Sequence, residues 1–255
     1  MKSPRSKILV LSLLALSLLL NVLVFVSLAR SGGLRRIFLR MDLAELPRTR
    51  QDFQKEMESR FLKFPNTPAE IVFVGDSQVA GGPWSEFFSE IHNRGIGGET
   101  AASILGRIGE VTESKPRKIF LLIGTNDLAA SVPVVQLMRH YRALLERIRK
   151  DSPETTVYVI GILPINPNMP LTPTQDNAQI LEANARIKRL VAEFPGTKYL
   201  DLSPFLSDEA GNLRRDFSTD GIHLNDDAYL AMREPLARFV TEDEPRKPPE
   251  ASSKP

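Results

Sequence analysis

The sequence predicts a three-layer α/β/α domain of the flavodoxin-like kind, with a central parallel β-sheet, over residues 69–241. Short runs of β-branched and apolar residues alternate along this stretch with longer segments in which apolar residues recur every three or four positions. Strands that alternate with helices form a parallel sheet that is covered on both faces. In such folds ligands bind at the carboxyl ends of the strands, so catalytic residues are expected in the loops that follow them.

Four segments have the length and composition of strands, and three have helical periodicity. The predicted strands are Ile71–Val74, Ile119–Ile123, Thr156–Ile162 and Lys198–Leu202. The predicted helices are Pro133–Lys150, Asn177–Phe194 and Asp227–Val240. The first of these opens on a proline, which a first helical turn tolerates because an amide there has no partner within the helix.

The composition argues against several kinds of function. The 255-residue chain has a formal net charge of only +2, and its basic residues are interspersed with acidic ones rather than gathered into patches that follow a phosphate backbone. A nucleic-acid partner is therefore not expected. The chain has no cysteine, which excludes disulfides, thiolate metal sites and a cysteine nucleophile.

An apolar segment near the amino terminus, Ile8–Ala29, has the length of a membrane span. At the helical rise of ~1.5 Å per residue it reaches about 33 Å, which covers a hydrocarbon core. The alternative is a signal peptide that is cleaved before Arg30, with Ser27 and Ala29 as the small residues of the cleavage site. The apolar cores of signal peptides, however, usually run to only roughly 7–15 residues. We therefore expect residues 1–30 to form a single-pass anchor. Basic residues before the span favour an amino terminus inside the cytoplasm, whereas those that follow it, Arg30, Arg35, Arg36 and Arg40, favour the opposite orientation. We expect the amino terminus inside and the domain outside the cytoplasm.

Two further segments flank the domain. Residues 31–68 carry apolar residues at helical spacing and are predicted to form a helical juxtamembrane linker. Two interpretations stay open: a basic helix that lies on lipid head groups through Arg35, Arg36 and Arg40, or a helix that packs on the domain. Residues 242–255 are rich in Pro, Lys, Glu and Ser without apolar anchors, and are predicted to be a disordered tail.

The first predicted strand leads into Gly75-Asp76-Ser77, which places a serine where the chain leaves the sheet. Gly75 would permit the tight turn that exposes the serine hydroxyl. By itself the tripeptide is better explained as a turn or as an N-cap for the next helix. The G-x-S-x-G elbow of α/β-hydrolases is absent, because residues 75–79 read Gly-Asp-Ser-Gln-Val.

A glycine-rich loop follows in Gly95-Ile96-Gly97-Gly98-Glu99-Thr100. Its glycines would let the Gly98 N–H approach a bound oxyanion, although a plain glycine turn explains them as well. Thr100 stands where a dinucleotide fingerprint needs its third glycine, which argues against a phosphate site.

A third loop, Gly124-Thr125-Asn126-Asp127, follows another predicted strand. The Asn126 amide could donate to a developing negative charge on a carbonyl oxygen, or could form an Asx turn or a helix cap. We assign Asp127 to such a structural turn or cap.

A carboxylate and a histidine lie three positions apart in Asp220-Gly221-Ile222-His223. Asp220 can hold the imidazole Nδ1–H across the glycine and point Nε2 at a serine. When the pair is taken alone, a loop histidine beside a helix cap is the better explanation. The other two histidines, His92 and His140, lack such a setting and are expected to be ordinary surface or core residues. Too few ligands cluster near His223 for a metal site.

Together the four elements supply a nucleophile, a base, an orienting acid and oxyanion donors, which are the parts that acyl transfer requires. In these blocks the chain resembles the SGNH hydrolase (GDSL-type esterase/lipase) family. Its glycine-rich second block is most similar to the branch that contains the α subunits of platelet-activating-factor acetylhydrolase. The resemblance extends from about Ile71 to Val240 and does not include the anchor or the tail.

The resemblance implies a serine ester hydrolase that needs no cofactor or metal. Ser77 would be the nucleophile, and His223 would be the general base and acid, oriented by Asp220. The oxyanion hole would consist of the N–H groups of Ser77 and Gly98 and the side chain of Asn126.

The substrate and the acyl acceptor stay open at this level. We expect a small acyl ester, such as an acetyl ester, of an envelope glycan or lipid, because the predicted anchor places the domain outside the cytoplasm. Cleavage of lysophospholipids or thioesters, and acyl transfer to an alcohol in place of water, would use the same residues. The complete set of site residues argues against a non-catalytic binding module. The sequence does not indicate an oligomeric state.

Two features bear on the acyl pocket. The segment Pro164–Asp176, rich in proline and asparagine, is expected to line it. Gln78 stands where the family commonly has an aliphatic residue, which puts the lining of the pocket rather than catalysis in question.

Overall fold

The computed structural model describes residues 17–24, 26, 27, 49–67, 70–169 and 176–242. The chain divides into two compact units, Met1–Gln51 and Asp52–Pro255. In the first unit residues 17–24, 26 and 27 are helical, and no helix in the described ranges is both long and apolar enough to span a bilayer. Several predictions fall outside the described residues: the remainder of the span Ile8–Ala29, the basic residues Arg35, Arg36 and Arg40, and residues 243–255 of the tail.

The second unit contains a five-stranded parallel sheet, which confirms the predicted α/β class. Its strands are β1 (Ile71–Gly75), β2 (Ile91–Gly95), β3 (Lys118–Leu122), β4 (Thr156–Ile160) and β5 (Thr197–Leu200). Their order across the sheet is β2-β1-β3-β4-β5, which is the flavodoxin-like order. The carboxyl ends of β1 and β3 form the switch point at which folds of this kind bind ligands.

Strand β2 is absent from the predicted strands. Its sequence, Ile-His-Asn-Arg-Gly, lacks the apolar run that identifies a buried strand, because β2 lies at the edge of the sheet and pairs only with β1. At its amino end His92 Nε2 lies 2.7 Å from Glu70 Oε1. His92 is therefore at the opposite end of the sheet from the loops that follow β1 and β3.

Helices cover both faces of the sheet. The longer ones are α1 (Arg50–Lys63), α4 (Ala101–Arg107), α7 (Val134–Asp151), α8 (Asn177–Val191) and α10 (Asp226–Thr241). The short ones are α2 (Ser77–Ala80), α3 (Trp84–Phe87), α5 (Gly109–Thr112), α6 (Thr125–Ala129) and α9 (Ser203–Leu206), with a 3₁₀ turn at Arg215–Phe217. The three predicted helices correspond to α7, α8 and α10, with ends that agree to within three residues.

The sheet separates two apolar cores, as three layers require. Successive side chains of a strand point to opposite faces, and every residue of β1 and β3 is buried. One core lies against α4, α7 and α8 and includes Val72, Val74, Ile119, Leu121, Val157 and Val159. The other lies against α3 and α10 and includes Ile71, Phe73, Phe120, Leu122, Tyr158 and Ile160.

An aromatic stack on the second face connects three strands to α3. Phe73, Phe120 and Tyr158 are register neighbours in β1, β3 and β4, with adjacent ring centroids 4.7 Å apart. Trp84 of α3 stacks on Phe73 at 4.4 Å, and its Nε1 donates to Val79 O at 2.8 Å. Because Val79 lies in α2, directly after β1, the stack holds the segment that follows β1 against the sheet.

A buried lysine caps the carboxyl end of the last helix. Lys118, at the start of β3, is buried, and its ammonium donates to the carbonyls of Phe239, Val240 and Glu242 at 2.7, 3.2 and 2.5 Å. These carbonyls lie at the carboxyl end of α10, where a helix leaves acceptors without partners and favours positive charge. The contact holds the carboxyl end of α10 against the sheet.

A helix that packs on the domain, one of the two interpretations of residues 31–68, is found in α1. Phe61 of this helix is only 4% exposed. Gln54 Nε2 donates to Gly97 O at 3.2 Å. Helix α1 therefore contacts the glycine-rich loop that follows β2.

Candidate active site

Ser77 lies where the chain leaves the central strand β1, as the first residue of α2. The predicted helix cap at this turn is present, but Asp76 provides it: Asp76 Oδ1 accepts from the Gln78 N–H at 2.9 Å, which leaves the Ser77 hydroxyl available. Gly75 is needed for space rather than for backbone freedom, since a Cβ there would lie 2.1 Å from Leu122 O of β3.

The Ser77 hydroxyl, the His223 imidazole and the Asp220 carboxylate form one hydrogen-bonded line. His223 Nε2 lies 3.1 Å from Ser77 Oγ, and His223 Nδ1 lies 2.6 Å from Asp220 Oδ2. Ser77 and His223 are 146 positions apart, so the fold brings them together. Because the carboxylate holds the proton on Nδ1, Nε2 faces the hydroxyl as an acceptor, as a base must to activate a serine.

The loop 218–224 holds Asp220 and His223 in this geometry through its backbone. Asp220 Oδ1 accepts from the N–H groups of Ile222 and His223, each at 2.8 Å. Gly221 has a φ of +96°, which residues with a Cβ rarely adopt. Partial burial acts to raise the pKa of Asp220, but the hydrogen bonds from His223 and the two amides outweigh it and lower the pKa below its ordinary value. The carboxylate is therefore charged at neutral pH.

Ser218 is a residue of this loop that sequence reasoning misses. Its Oγ donates to His223 O at 2.7 Å and accepts from the Gly221 N–H at 2.8 Å. The sequence does carry a signal for it, because a serine shortly before an Asp-Gly pair commonly bonds the backbone of the turn.

The predicted pocket loop Pro164–Asp176 begins against the loop that carries His223. The Asn166 N–H donates to Gly221 O at 2.8 Å, and a Cβ on Gly221 would lie 2.5 Å from Asn166 O. The Asn166 side chain donates to Leu213 O at 2.7 Å. Residues 170–175 lie outside the described part of the chain, so a pocket-lining role for this loop stays a prediction.

The glycine-rich loop passes close to Ser77. A Cβ on Gly97 would lie 3.9 Å from the Ser77 Cβ, and Gly98 has a φ of +81°. Among the described residues, no backbone acceptor binds the N–H of Ser77 or of Gly98. Both N–H groups are therefore available to an oxygen atom bound beside Ser77.

Asn126, in α6 after β3, reaches the same place. Its Nδ2 donates to Glu99 O at 2.9 Å and lies 3.3 Å from Asp76 Oδ2. Helix α6 has no side-chain cap, so Asn126 does not serve as the cap that the sequence allows. Its amide instead connects the turn after β1 with the glycine-rich loop after β2.

Asp127 has a structural role, as expected, but it supports the start of helix α4 rather than its own helix α6. Its buried carboxylate accepts from the Ala101 N–H at 2.9 Å, at the start of α4. Neither His92 nor His140 takes part in the hydrogen-bonded line of Ser77. Within the described ranges no three His, Asp or Glu side chains are grouped so as to hold a metal ion.

A buried ionic cluster supports the glycine-rich loop. Arg107 donates to Glu99 through Nε at 2.7 Å and Nη2 at 2.5 Å, and through Nη1 to Glu110 at 3.1 Å. Burial raises the pKa values of both carboxyl groups, and Arg107 opposes the shift. Phe61 of α1 covers the cluster, with its ring centroid 5.6 Å from the Arg107 guanidinium carbon. Because Glu99 directly follows Gly98, the cluster and α1 together fix the Gly98 N–H.

We expect Phe61→Ala to lower both the melting temperature and kcat, and Phe53→Ala to change neither. Phe53 lies on the same helix but is 45% exposed, whereas loss of a buried aromatic ring costs about 3–5 kcal/mol and here also uncovers the Arg107–Glu99 pair. Melting temperatures and ester kinetics of the two variants check this.

Ester kinetics of a protein that begins at residue 50 test whether the preceding residues are needed for activity. It retains α1 and should be soluble and active on short-chain esters, because the four site loops lie downstream of it. Equal effects of Phe61→Ala and Phe53→Ala would show that α1 does not support the glycine-rich loop. A folded but inactive protein from residue 50 would show that residues 1–49 contribute to the site.

Asp76 is a buried carboxyl group directly beside Ser77. Complete burial raises its pKa to about 7, against the hydrogen bond from the Gln78 N–H and the charge of His223, which act to lower it. Asp76 is therefore partly protonated at neutral pH, unlike Asp220.

We expect Asp76 to make the protein less stable as the pH rises. Its pKa is raised on folding from an ordinary 3.8, so its stabilising contribution is fully present below that pH and is lost as the pH rises through about 7. Asp76→Asn keeps the acceptor for Gln78 and removes the titration. Between roughly pH 4 and 8 the free energy of unfolding should fall by a few kcal/mol more in the wild type than in Asp76→Asn. Urea unfolding at both pH values measures this, and an equal pH dependence in the two proteins would contradict it.

At the switch point of the sheet the structure brings together the residues that the sequence predicts for acyl transfer, without the elbow motif of the α/β-hydrolases. Fold and site together define a serine esterase of the three-layer SGNH kind. Comparison with known proteins agrees with this class. Residues 73–231 match the GDSL-like Lipase/Acylhydrolase family, and the chain belongs to that family.

One protein of similar sequence and two solved structures of similar fold illustrate what the chain resembles. The chain is 29% identical over 189 residues to platelet-activating factor acetylhydrolase IB subunit alpha1 of Rattus norvegicus, over 69% of this chain and 78% of that protein. A solved structure from Streptococcus pneumoniae, described as a platelet activating factor, has a TM-score of 0.71 at 26% identity and covers 83% of this chain and 99% of its own. An acetylxylan esterase from Geobacillus stearothermophilus shares the fold, with a TM-score of 0.56 at 16% identity over 70% of this chain and 96% of its own.

Proposed function

We propose that the chain hydrolyses carboxylic esters through a covalent acyl-enzyme on Ser77. The observation that carries this proposal is the line in which His223 Nε2 is 3.1 Å from Ser77 Oγ and His223 Nδ1 is 2.6 Å from Asp220 Oδ2. Both distances are within the reach expected between a nucleophile, its base and the group that orients the base.

In the acylation step, His223 Nε2 takes the hydroxyl proton as Ser77 Oγ bonds to the ester carbonyl carbon, and the carbonyl electron pair moves onto oxygen. The tetrahedral intermediate collapses, and the leaving alcohol departs with the proton from His223. In the deacylation step, His223 takes a proton from water, which attacks the acyl carbon, and then returns that proton to Ser77 Oγ as the acid is released. Asp220 stays ionised and stabilises the charged imidazole, a role that suits its lowered pKa.

We assign three donors to the oxyanion: the N–H groups of Ser77 and Gly98, and Nδ2 of Asn126. Nδ2 uses one proton on Glu99 O at 2.9 Å, while its contact with Asp76 Oδ2 is longer, at 3.3 Å. An oxyanion would take the place of the longer contact. The raised pKa of Asp76 supports this assignment, because a neutral carboxyl group competes less strongly for the amide proton.

Covalent labelling tests the nucleophile directly. A fluorophosphonate should label the wild type at Ser77, should not label Ser77→Ala, and should label His223→Ala far more slowly because the base is missing. Peptide mapping by mass spectrometry locates the label. Labelling at another residue, or equal labelling of Ser77→Ala, would refute the assignment, and a binding module would not react at all.

As the substrate class we propose a small acyl ester, in the first place an acetyl ester, of an envelope glycan or lipid. The support is that the rat relative is by name an acetylhydrolase. A panel of esters of increasing acyl length should give the highest kcat/KM for acetyl. A maximum at long acyl chains, or on a thioester, would replace this substrate class. An ester product formed with an added acceptor alcohol would show that the enzyme is an acyltransferase.

We also propose that Ile8–Ala29 anchors the chain in a membrane with the catalytic domain outside the cytoplasm. The support is the length and apolar character of this segment and the basic residues that precede it. The full-length protein should stay with membranes through high-salt and carbonate washes, since apolar burial holds a spanning helix. Release by these washes would overturn the anchor, and a mature protein that begins at Arg30 would identify a signal peptide instead.

A further inference from the structure

Gln78, the residue after the nucleophile, joins three loops of the site. In the sequence, Gln78 stands where the family commonly has an aliphatic residue, which raises the question of a changed pocket lining. Its side chain is only 1% exposed, so it does not line an open acyl pocket. Its Nε2 donates to Ile222 O at 3.0 Å, and its Oε1 accepts from Thr125 Oγ1 at 3.4 Å. One buried amide thus bridges the turn after β1, the turn after β3 and the loop that carries His223.

The backbone of Gln78 is held independently of its side chain. Its N–H donates to Asp76 Oδ1 at 2.9 Å, and its carbonyl accepts from the Tyr229 hydroxyl at 2.8 Å. Both contacts survive a change of side chain. A substitution at position 78 therefore acts chiefly through the loss of the amide.

The bond to Ile222 O matters because Ile222 directly precedes His223. Between the turn 75–78 and the loop 218–224, the described hydrogen bonds are this one and the His223–Ser77 contact itself. The His223 side chain is 50% exposed, so packing alone does not fix the imidazole ring. The Gln78 amide thus provides the hydrogen bond that links these two described segments besides the His223–Ser77 contact.

We propose that Gln78 is a positioning residue for catalysis, whose amide holds the His223 loop at the distance from Ser77 that proton transfer needs. It touches neither the substrate nor the transferred proton. The inference rests on the proposed roles of Ser77 and His223. An aliphatic side chain at this position cannot donate to Ile222 O, so this chain uses a buried hydrogen bond to position the loop.

Gln78→Met tests the inference, because methionine is similarly long and unbranched but has no N–H donor. We expect kcat on a short-chain ester to fall by about 10²-fold, the effect of roughly 1 Å of misplacement, while KM changes by less than about 2-fold. The rate of fluorophosphonate labelling at Ser77 should fall in parallel with kcat.

Asn184→Leu is the matched control. Asn184 is also a buried amide that bonds a loop carbonyl, with its Nδ2 2.8 Å from Ile162 O, but it has no contact with Ser77 or His223. This variant should lower the melting temperature and leave kcat within about 2-fold of the wild type.

Combination with His223→Ala separates positioning from other roles. If Gln78 acts through His223, adding Gln78→Met to His223→Ala leaves the slow residual labelling rate unchanged. A further fall in that rate, an unchanged kcat in Gln78→Met, or a loss of kcat that only follows unfolding overturns the inference and leaves Ser77 as the nucleophile. Full activity in Ser77→Ala would instead overturn the proposed function.

Discussion

Ser77→Ala and His223→Ala should each lower kcat for ester hydrolysis by about 10⁶-fold, and the double variant should be scarcely worse than either single one. The reason is that in the proposed mechanism Ser77 attacks only as His223 takes its proton, so both substitutions remove the same step. Steady-state kinetics on a short-chain ester with the three variants and the wild type measure this. Independent structural roles would give losses that multiply in the double variant.

Asp220 provides a graded test of the same line. Asp220→Asn keeps an acceptor for the amides of Ile222 and His223, but it loses the charge and places an NH2 donor against His223 Nδ1. Asp220→Ala loses the charge and both acceptor oxygens. Both should be milder than Ser77→Ala, with losses of about 10⁴-fold, because the carboxylate orients and stabilises the imidazole without taking its proton. Asp220→Ala should have the lower melting temperature of the two.

Thermal melts serve as the control for these variants. All of them should fold, because a serine at the end of a strand and an Asp/His pair in a surface loop bury little apolar area. Wild-type rates in Ser77→Ala, or a loss of activity that only accompanies a collapsed melting temperature, would show that Ser77 is merely a turn residue.

Asn126→Ala should lower kcat by roughly 10²–10³-fold with little change in KM, because an oxyanion donor is used mainly in the transition state. Asn126 also bonds Glu99 O, so its removal has a structural component. Asn184→Ala removes an amide that bonds a carbonyl away from the site, so it serves as the control and should leave kcat close to the wild-type value. A large increase in KM alone would make Asn126 a substrate-binding residue.

The sequence is a sufficient guide to the central strands and to the residues of the hydrogen-bonded line. Strands β1, β3 and β4 are buried on both faces, so each needs an apolar run that can be recognised locally. Asp220 and His223 are three positions apart, and Gly221 between them reports the φ of their turn. The sequence is a poor guide to β2, because an edge strand pairs on one side only and can be polar.

Short stretches of sequence encode the parallel α/β class, the chemical type of the site and the candidates Ser77, Asp220 and His223. Within such stretches, periodicity and turn chemistry act over a few residues. The partners that hold the site are encoded in no such stretch. Asp127 accepts from the first amide of a helix that begins 26 positions away, and Gln78 binds a carbonyl 144 positions away. These contacts arise because a parallel sheet brings the carboxyl ends of separate strands to one edge, where buried polar groups must find partners regardless of their distance along the chain.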